Sequence, residues 1–109
     1  MEYKEKEDYT DRMNRILGIA LTPLTATYCQ KENYNIQMCL SHPEQSNSEE
    51  CLRTYKQMRE CFNYVLTEAN QRCPKQLDKL YKCLDKSDGD MKSCKKQYDT
   101  FLNCWNKSL

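Results

Sequence analysis

The stretch CLRTYKQMREC, residues 51–61, begins and ends with a cysteine and has nine residues between them. Three further segments have the same C-x9-C spacing: CQKENYNIQMC (29–39), CPKQLDKLYKC (73–83) and CKKQYDTFLNC (94–104). These four segments contain all eight cysteines of the chain. A spacing that recurs four times predicts that the cysteines have a structural role and that the repeated segment is the unit of the fold.

Each C-x9-C segment is typical of a short α-helix with both thiols on one side. Ten residues turn through about 1000°, roughly 80° short of three turns, and rise ~15 Å along the axis. Because a disulfide tolerates Cα atoms only up to about 7 Å apart, the two cysteines of one segment cannot bond to each other. Apolar residues at +4 and +7 from the first cysteine, such as Tyr55 and Met58 or Leu77 and Leu80, fall on the same side as the thiols. Each segment therefore predicts a helix with a narrow apolar stripe.

Consecutive segments that fold back on each other would form two helical hairpins. In an antiparallel arrangement the cysteines meet in pairs, one pair beside the turn and one at the open end. The predicted disulfides are Cys29–Cys61, Cys39–Cys51, Cys73–Cys104 and Cys83–Cys94. The predicted fold is all-α, with two disulfide-stapled antiparallel helical hairpins and an N-terminal arm. The predicted boundaries are 1–25 for the arm, 26–66 for the first hairpin and 70–107 for the second.

The connections inside the hairpins contain turn and capping residues. In 40–49 (LSHPEQSNSE), Ser46 and Glu49 have the spacing of a capping box, which predicts the start of the second helix. In the second hairpin Gly89 is followed by Asp90, which we predict to be an N-cap.

The composition indicates a small polar protein that needs cross-links. The chain has 109 residues, of which 30% are charged, and a mean hydropathy of −0.99. Chains of this size with few apolar residues usually require disulfides or a metal for stability. No apolar run approaches the ~20 residues that span a bilayer. The acidic start, MEYKEKEDYTDRMNR, fits neither a secretory signal peptide nor a matrix transit peptide.

Charge is distributed unevenly along the chain. Residues 1–50 contain five Lys or Arg and nine Asp or Glu, a net charge of −4, whereas residues 51–109 contain twelve and seven, a net charge of +5. One interpretation is a pair of solvated helical faces of different composition. The other is a basic second half that faces an acidic protein surface or anionic lipid headgroups. Both stay open at this point.

The residues predict no catalytic, metal or cofactor site. Zinc sites usually use C-x2–4-C pairs, whereas no two cysteines here are closer than ten positions, and the single histidine, His42, lies in a predicted loop. A C-x-x-C redox pair and a Gly-rich phosphate loop are also absent from the sequence. We therefore expect a protein that is not an enzyme and has no cofactor, no small-molecule substrate and no nucleic-acid partner.

Eight tyrosines and one tryptophan are more aromatic residues than two thin helical cores accommodate. Aromatic side chains are enriched at protein interfaces, so some of them are expected to contact a partner. The candidate contacts are Tyr28, Tyr34, Tyr64 and Trp105. For Trp105, which directly follows the last cysteine, capping the open end of the second hairpin is the alternative.

The region from about residue 26 to residue 105 resembles a known family. The resemblance is carried by the eight cysteines and by the short motifs MCL at 38–40, ECL at 50–52, RCP at 72–74, LYKCLD at 80–85 and CKKQYDTFLNC at 94–104. Four C-x9-C segments in two hairpins resemble the CHCH (coiled-coil-helix-coiled-coil-helix) proteins of the mitochondrial intermembrane space. With this register they are similar to the four-C-x9-C accessory subunit of respiratory complex I, the PGIV or 19-kDa subunit type.

The resemblance implies a non-catalytic structural accessory subunit of NADH:ubiquinone oxidoreductase (complex I). It implies a location in the intermembrane space, peripheral on the inner membrane, where the subunit stabilises the membrane arm. The implied partners are protein subunits of that arm and the disulfide relay that imports and oxidises CHCH proteins. The alternatives are a CHCH-type assembly or import factor, an accessory subunit of another respiratory complex, and a secreted disulfide-stapled helical ligand.

Overall fold

The computed structural model describes residues 9–108, and side chains from residue 10 onward. Residues 1–8, which include four of the acidic residues on which the targeting prediction depends, lie outside this range. The described residues form five α-helices: α1 (Tyr9–Tyr28), α2 (Gln30–Leu40), α3 (Glu49–Arg72), α4 (Pro74–Lys86) and α5 (Lys95–Lys107). Two short 3-10 helices cover Pro43–Gln45 and Met91–Cys94. Within residues 9–108 there is no strand, and four disulfides join the helices, so the predicted all-α stapled-hairpin fold is confirmed.

The chain divides into two compact units. One comprises the described residues up to Leu21 together with those from Ala69 onward, and the other comprises Thr22–Glu68. The domain boundaries predicted from the cysteine spacing stay a prediction. In the part of the chain that the structure describes, no helix combines the length and the apolar character that crossing a bilayer requires.

The first hairpin, formed by α2 and α3, has a thin core. The disulfides Cys39–Cys51 and Cys29–Cys61 close its two ends. Between them the side chains of Met58, on the predicted apolar stripe, and of Ile36, at the equivalent +7 position after Cys29, are only half-buried. Thr54 is the one side chain of this stretch of α3 between the cysteines that is buried, with 7% exposed. The apolar contact between α2 and α3 is therefore small, and the two disulfides carry much of the stability.

The second hairpin, formed by α4 and α5, has an apolar core. Leu77, Leu80 and Leu84 repeat at intervals of three and four residues on α4, which places them on one face. All three are buried, and so are Phe101 and Trp105 on α5. Apolar area removed from water stabilises by about 25 cal/mol per Å², so this hairpin has a source of stability that the first largely lacks.

A cysteine stands at each of two equivalent junctions between helices. Cys29 separates α1 from α2, and Cys73 separates α3 from α4; both are fully buried and both leave the helical region, with φ −117° and −137°. The backbone hydrogen bonds continue through each junction, from the cysteine N–H to the residue four positions before it. In the two segments that begin with Cys29 and Cys73, the helix therefore starts one residue after the first cysteine. An uninterrupted helix through both cysteines of a segment would have included that first cysteine.

The start of α3 differs from the sequence prediction. Ser48, directly before the helix, accepts a hydrogen bond from the Cys51 N–H through its hydroxyl, 3.2 Å from N to Oγ. Ser46 instead ends the preceding 3-10 turn. The capping-box pattern selected the wrong serine because Ser46 is the C-cap of the 3-10 helix Pro43–Gln45, so the N-cap of α3 lies two residues later, at Ser48. Glu49 and Glu50 then follow in the first turn, where the helix dipole favours acidic side chains.

The turn after α4 needs a left-handed backbone at two residues. Asp88 has φ +56° and Gly89 has φ +90°, and the Gly89 N–H donates to the Leu84 carbonyl at 2.7 Å, as in a Schellman C-cap. A Cβ on Gly89 would lie 2.9 Å from the terminal methyl, Cδ1, of Ile19, which can shift, so the positive φ is what requires glycine there. Asp90 caps the following 3-10 helix as predicted, since its carboxylate accepts from the Lys92 N–H at 3.1 Å.

Candidate functional site

The structure brings all eight cysteines together in four pairs. The Cα atoms lie 6.1 Å apart in Cys29–Cys61 and Cys73–Cys104 and 5.9 Å apart in Cys39–Cys51 and Cys83–Cys94. These distances fall in the range that disulfides prefer. In each hairpin one bond lies beside the turn and one at the open end, and no cysteine is left free.

The disulfide-bonded cysteines are poor candidates for metal ligands. Cys29, Glu32 and Cys61 bring two sulfurs and a carboxylate oxygen within 4.8 Å of one another. Metal binding by cysteine requires a thiolate, and both of these sulfurs are engaged in one disulfide. The cluster therefore provides a single carboxylate ligand, which does not make a metal site.

Three of the four candidate contact residues lie on the surface. The side chains of Tyr28, Tyr34 and Tyr64 are 47%, 65% and 61% exposed. Trp105 is different: it is 4% exposed, and the guanidinium of Arg72 lies 4.4 Å from the centre of its ring. We therefore remove Trp105 from the candidate contacts, because its ring completes the core at the open end of the second hairpin.

A groove runs along one side of the first hairpin, between α2 and α3. It consists of two adjoining depressions of about 410 and 370 Å³, which share Asn35 and Gln57. Met38 and His42 line the end near the turn, and Tyr64 lines the open end. We call this feature the α2–α3 groove. Its walls are mostly polar, with an exposed apolar side chain at each end.

Sequence reasoning missed part of the apolar surface of this unit. Met38, Leu40 and Leu52 are 46%, 56% and 53% exposed. Tyr34 and Met38 are four residues apart on α2 and so lie on one face of the helix. That spacing was readable in the sequence, whereas the exposure of Leu40 and Leu52 depends on how the two helices pack.

A cluster of ion pairs holds the first half of α1 against the turn of the second hairpin. Arg12 donates from Nε to Asp85 Oδ1 at 2.7 Å and from Nη2 to the Asp85 carbonyl at 2.8 Å. Arg12 and Arg15 both lie 3.1 Å from Asp88 Oδ1. Hydrogen bonds from Arg15 first, and then from Arg12, hold the pKa of Asp88 below its ordinary value. The Asp85 carboxylate likewise raises the pKa of Arg12.

Comparison with known proteins gives one informative similarity. The chain is 27% identical over 73 residues to a protein of Arabidopsis thaliana named NADH dehydrogenase [ubiquinone] 1 alpha subcomplex subunit 8-A. The alignment covers 67% of this chain and 66% of that protein, so the chain spans just under two thirds of the length of the relative it matches. No protein-family model matches the chain. No solved structure matches it either.

Proposed function

We propose that the chain is a non-catalytic accessory subunit of mitochondrial NADH:ubiquinone oxidoreductase, in which the stapled hairpins stabilise neighbouring protein subunits. The observation that carries this proposal is the closure of four C-x9-C segments into four disulfides between helices. The similarity to the Arabidopsis subunit supports the assignment to this complex. The PGIV type of subunit, which the cysteine register resembles, is the form that we propose.

The proposed role is mechanical. Disulfides hold α2 and α3 at both ends, so the groove between them keeps its shape although few apolar contacts support it. Exposed Met38 and Tyr64 line this groove, and exposed Tyr34 lies one turn before Met38 on the same face of α2, so the three provide the apolar and aromatic anchors that protein interfaces favour. We propose that a protein subunit of the membrane arm contacts this side of the first hairpin.

The proposed location is the intermembrane space, peripheral on the inner membrane. Four disulfides require an oxidising compartment, because glutathione and thioredoxin keep cytosolic thiols reduced. The disulfide relay of the intermembrane space is the partner that we propose for oxidation of the eight cysteines after import. A peripheral position is compatible with the described helices, none of which is long and apolar enough to cross a bilayer.

Native gel electrophoresis after mild detergent extraction tests the assignment. A tagged full chain should comigrate with NADH dehydrogenase activity. Comigration with another respiratory complex, or migration as a small free species, would reject the assignment and favour the accessory subunit of that other complex or an assembly factor.

A matched pair of variants tests the proposed contact surface in the same experiment. The triple variant Tyr34→Ala, Met38→Ala, Tyr64→Ala should leave the large complex and migrate free. The control triple variant Gln37→Ala, Lys56→Ala, Asn63→Ala alters exposed residues of the same two helices outside the groove and should comigrate as the wild type does. Equal behaviour of the two variants would overturn the assignment of the interface to this side of the first hairpin.

A further inference from the structure

Four lysines form a continuous stripe along α4. They occur at i, i+4, i+7 and i+11, which places them within an arc of about 60° on a helical projection. The buried leucines of α4 lie on the opposite side, so the stripe faces away from the core. All four side chains are exposed. The lysines are Lys75, Lys79, Lys82 and Lys86.

Lysines of α5 extend this stripe into a groove. Three adjoining depressions of about 450, 270 and 530 Å³ follow the α4–α5 seam of the second hairpin. Neighbouring depressions share residues, Lys79 and Gln97 in one case and Gln76 and Thr100 in the other. We call this feature the lysine groove. Its charged lining residues are Lys79, Lys82, Lys86, Lys96 and Lys107.

No carboxylate lines the lysine groove. From residue 73 onward the sequence contains eight lysines and five aspartates. Four of those aspartates are used elsewhere: two pair with the arginines of α1, one caps the second 3-10 helix, and one pairs with Lys95. The fifth, Asp78, forms an exposed ion pair with Lys82, 3.0 Å from Oδ2 to Nζ, but does not itself line the groove. The charged side chains that line the groove are therefore all positive, and of these five lysines Lys82 has an acidic neighbour.

The chemistry of this surface favours lipid headgroups over a protein. Protein interfaces are depleted in lysine and enriched in arginine and aromatic residues. The positive charges of the groove are all lysines, and the large exposed apolar side chains of the described chain all belong to the unit of residues 22–68, so none belongs to this hairpin. Clusters of four to eight basic residues without apolar anchors are typical of electrostatic binding to anionic membrane surfaces.

We propose that the lysine groove binds the phosphate-bearing headgroups of anionic phospholipids and so holds the second hairpin to a membrane surface. The interaction requires no side chain to enter the hydrocarbon layer. It is separate from the α2–α3 groove, so one hairpin contacts protein and the other contacts lipid. The inference does not depend on which respiratory complex contains the chain.

Vesicle flotation with the purified, oxidised full chain tests this proposal. The protein should float with vesicles of phosphatidylcholine mixed with phosphatidylglycerol and stay in solution with phosphatidylcholine alone. Binding should disappear near 1 M salt, where the Debye length falls to about 3 Å.

Two triple variants with the same loss of charge separate the groove from the net charge of the protein. The first variant should weaken vesicle binding on the order of 100-fold, because each lysine near an anionic surface makes the binding free energy more favourable. Its substitutions are Lys79→Gln, Lys86→Gln and Lys96→Gln. The control Lys31→Gln, Lys56→Gln, Lys92→Gln alters exposed lysines that do not line the groove and should change binding less than about tenfold. Circular dichroism checks that both variants are folded.

Three outcomes would overturn the proposal. The first is a wild-type chain that ignores anionic vesicles at low salt, and the second is equal weakening in both variants. The third is tighter binding to soluble polyglutamate than to vesicles with the same concentration of charge, which would identify an acidic protein as the occupant. Because no respiratory complex is present in this experiment, its failure leaves the native-gel test of the proposed function unaffected.

Discussion

Arg12 and Asp85 are 73 residues apart in the sequence, and an ion pair with an Nε to Oδ1 distance of 2.7 Å joins them. Together with Arg15 and Asp88 it fastens the first half of α1 to the turn of the second hairpin. We expect the double variant Arg12→Gln, Arg15→Gln to accelerate amide hydrogen exchange in residues 10–21. The control Lys56→Gln should leave exchange there unchanged. Unaltered exchange in the double variant would mean that apolar packing of α1 alone holds it in place.

Low pH should weaken the ion pairs that join α1 to the turn of the second hairpin. The folded pKa of Asp88 is lowered by Arg15 and Arg12, so its stabilising contribution is fully present above the ordinary value of about 4 and is lost as pH falls through the lowered folded value. Asp88→Asn keeps a residue that tolerates the left-handed backbone and removes the charge. The melting temperatures of wild type and variant should differ at neutral pH, begin to converge below about pH 4, and meet once the pH is below the lowered folded pKa of Asp88. A constant difference down to pH 2 would contradict this mechanism.

The two hairpins should respond differently to loss of the equivalent disulfide. Cys29–Cys61 and Cys73–Cys104 span 32 and 31 residues, so chain entropy predicts nearly the same loss, about 3.5–4 kcal/mol, for either pair of Cys→Ser substitutions. Loss of Cys29–Cys61 should leave α2 open to proteolysis, because Ile36 and Met58 contribute little burial. Loss of the second bond should leave α4 and α5 protected by their apolar core.

Limited proteolysis followed by mass spectrometry measures this difference. Equal protection of α2 and α4 in the two variants would show that helix packing, rather than the bonds, governs both hairpins. Peptide mapping of the oxidised wild type belongs in the same experiment, since it identifies the partner of each cysteine directly.

The single tryptophan reports on the second hairpin. Trp105 is buried beneath Arg72, so its fluorescence should be blue-shifted in the oxidised protein and should move to the red on unfolding in reductant. Trp105→Ala should cost about 3–5 kcal/mol in the free energy of unfolding, as large aromatic deletions in cores do. Tyr34→Ala, at a 65% exposed position, should change the free energy of unfolding by less than about 0.5 kcal/mol. Comparable losses in both variants, measured by denaturant unfolding, would contradict the burial of Trp105.

The cysteine spacing was sufficient to predict the hairpins because a helix has a fixed rise and a disulfide a fixed reach. Details of the fold that depend on only one or two residues are harder to predict from the sequence. The serine that caps α3 was misassigned by two positions, since the 3-10 turn before it has no strong sequence signal. The helix breaks at Cys29 and Cys73 also have a weak signal, although Pro74 after Cys73 suits a helix start.

The sequence alone does not predict surface features that depend on contacts between residues far apart in the chain. Nothing distinguishes Arg12 and Asp85 from the many other charges of the chain until the fold brings them together. Trp105 was equally compatible with a contact or a cap, because its position after Cys104 does not define what covers the ring. The lysine stripe of α4 was present in the spacing, but its continuation into α5 required the packing of the two helices.

Burial sets the order in which a reductant is expected to open the bonds. Cys29, Cys73 and Cys94 are fully shielded from solvent, whereas their partners Cys61, Cys104 and Cys83 are half-exposed. An attacking thiolate therefore reaches three of the four bonds from one side only, and the same sulfur is always struck first. In Cys39–Cys51 both residues are largely buried, with 9% and 6% exposed. The Cys39–Cys51 bond, beside the turn of the first hairpin, is therefore expected to be reduced last. A partly reduced molecule would still have α2 and α3 joined next to their turn, and the first hairpin could re-form from there.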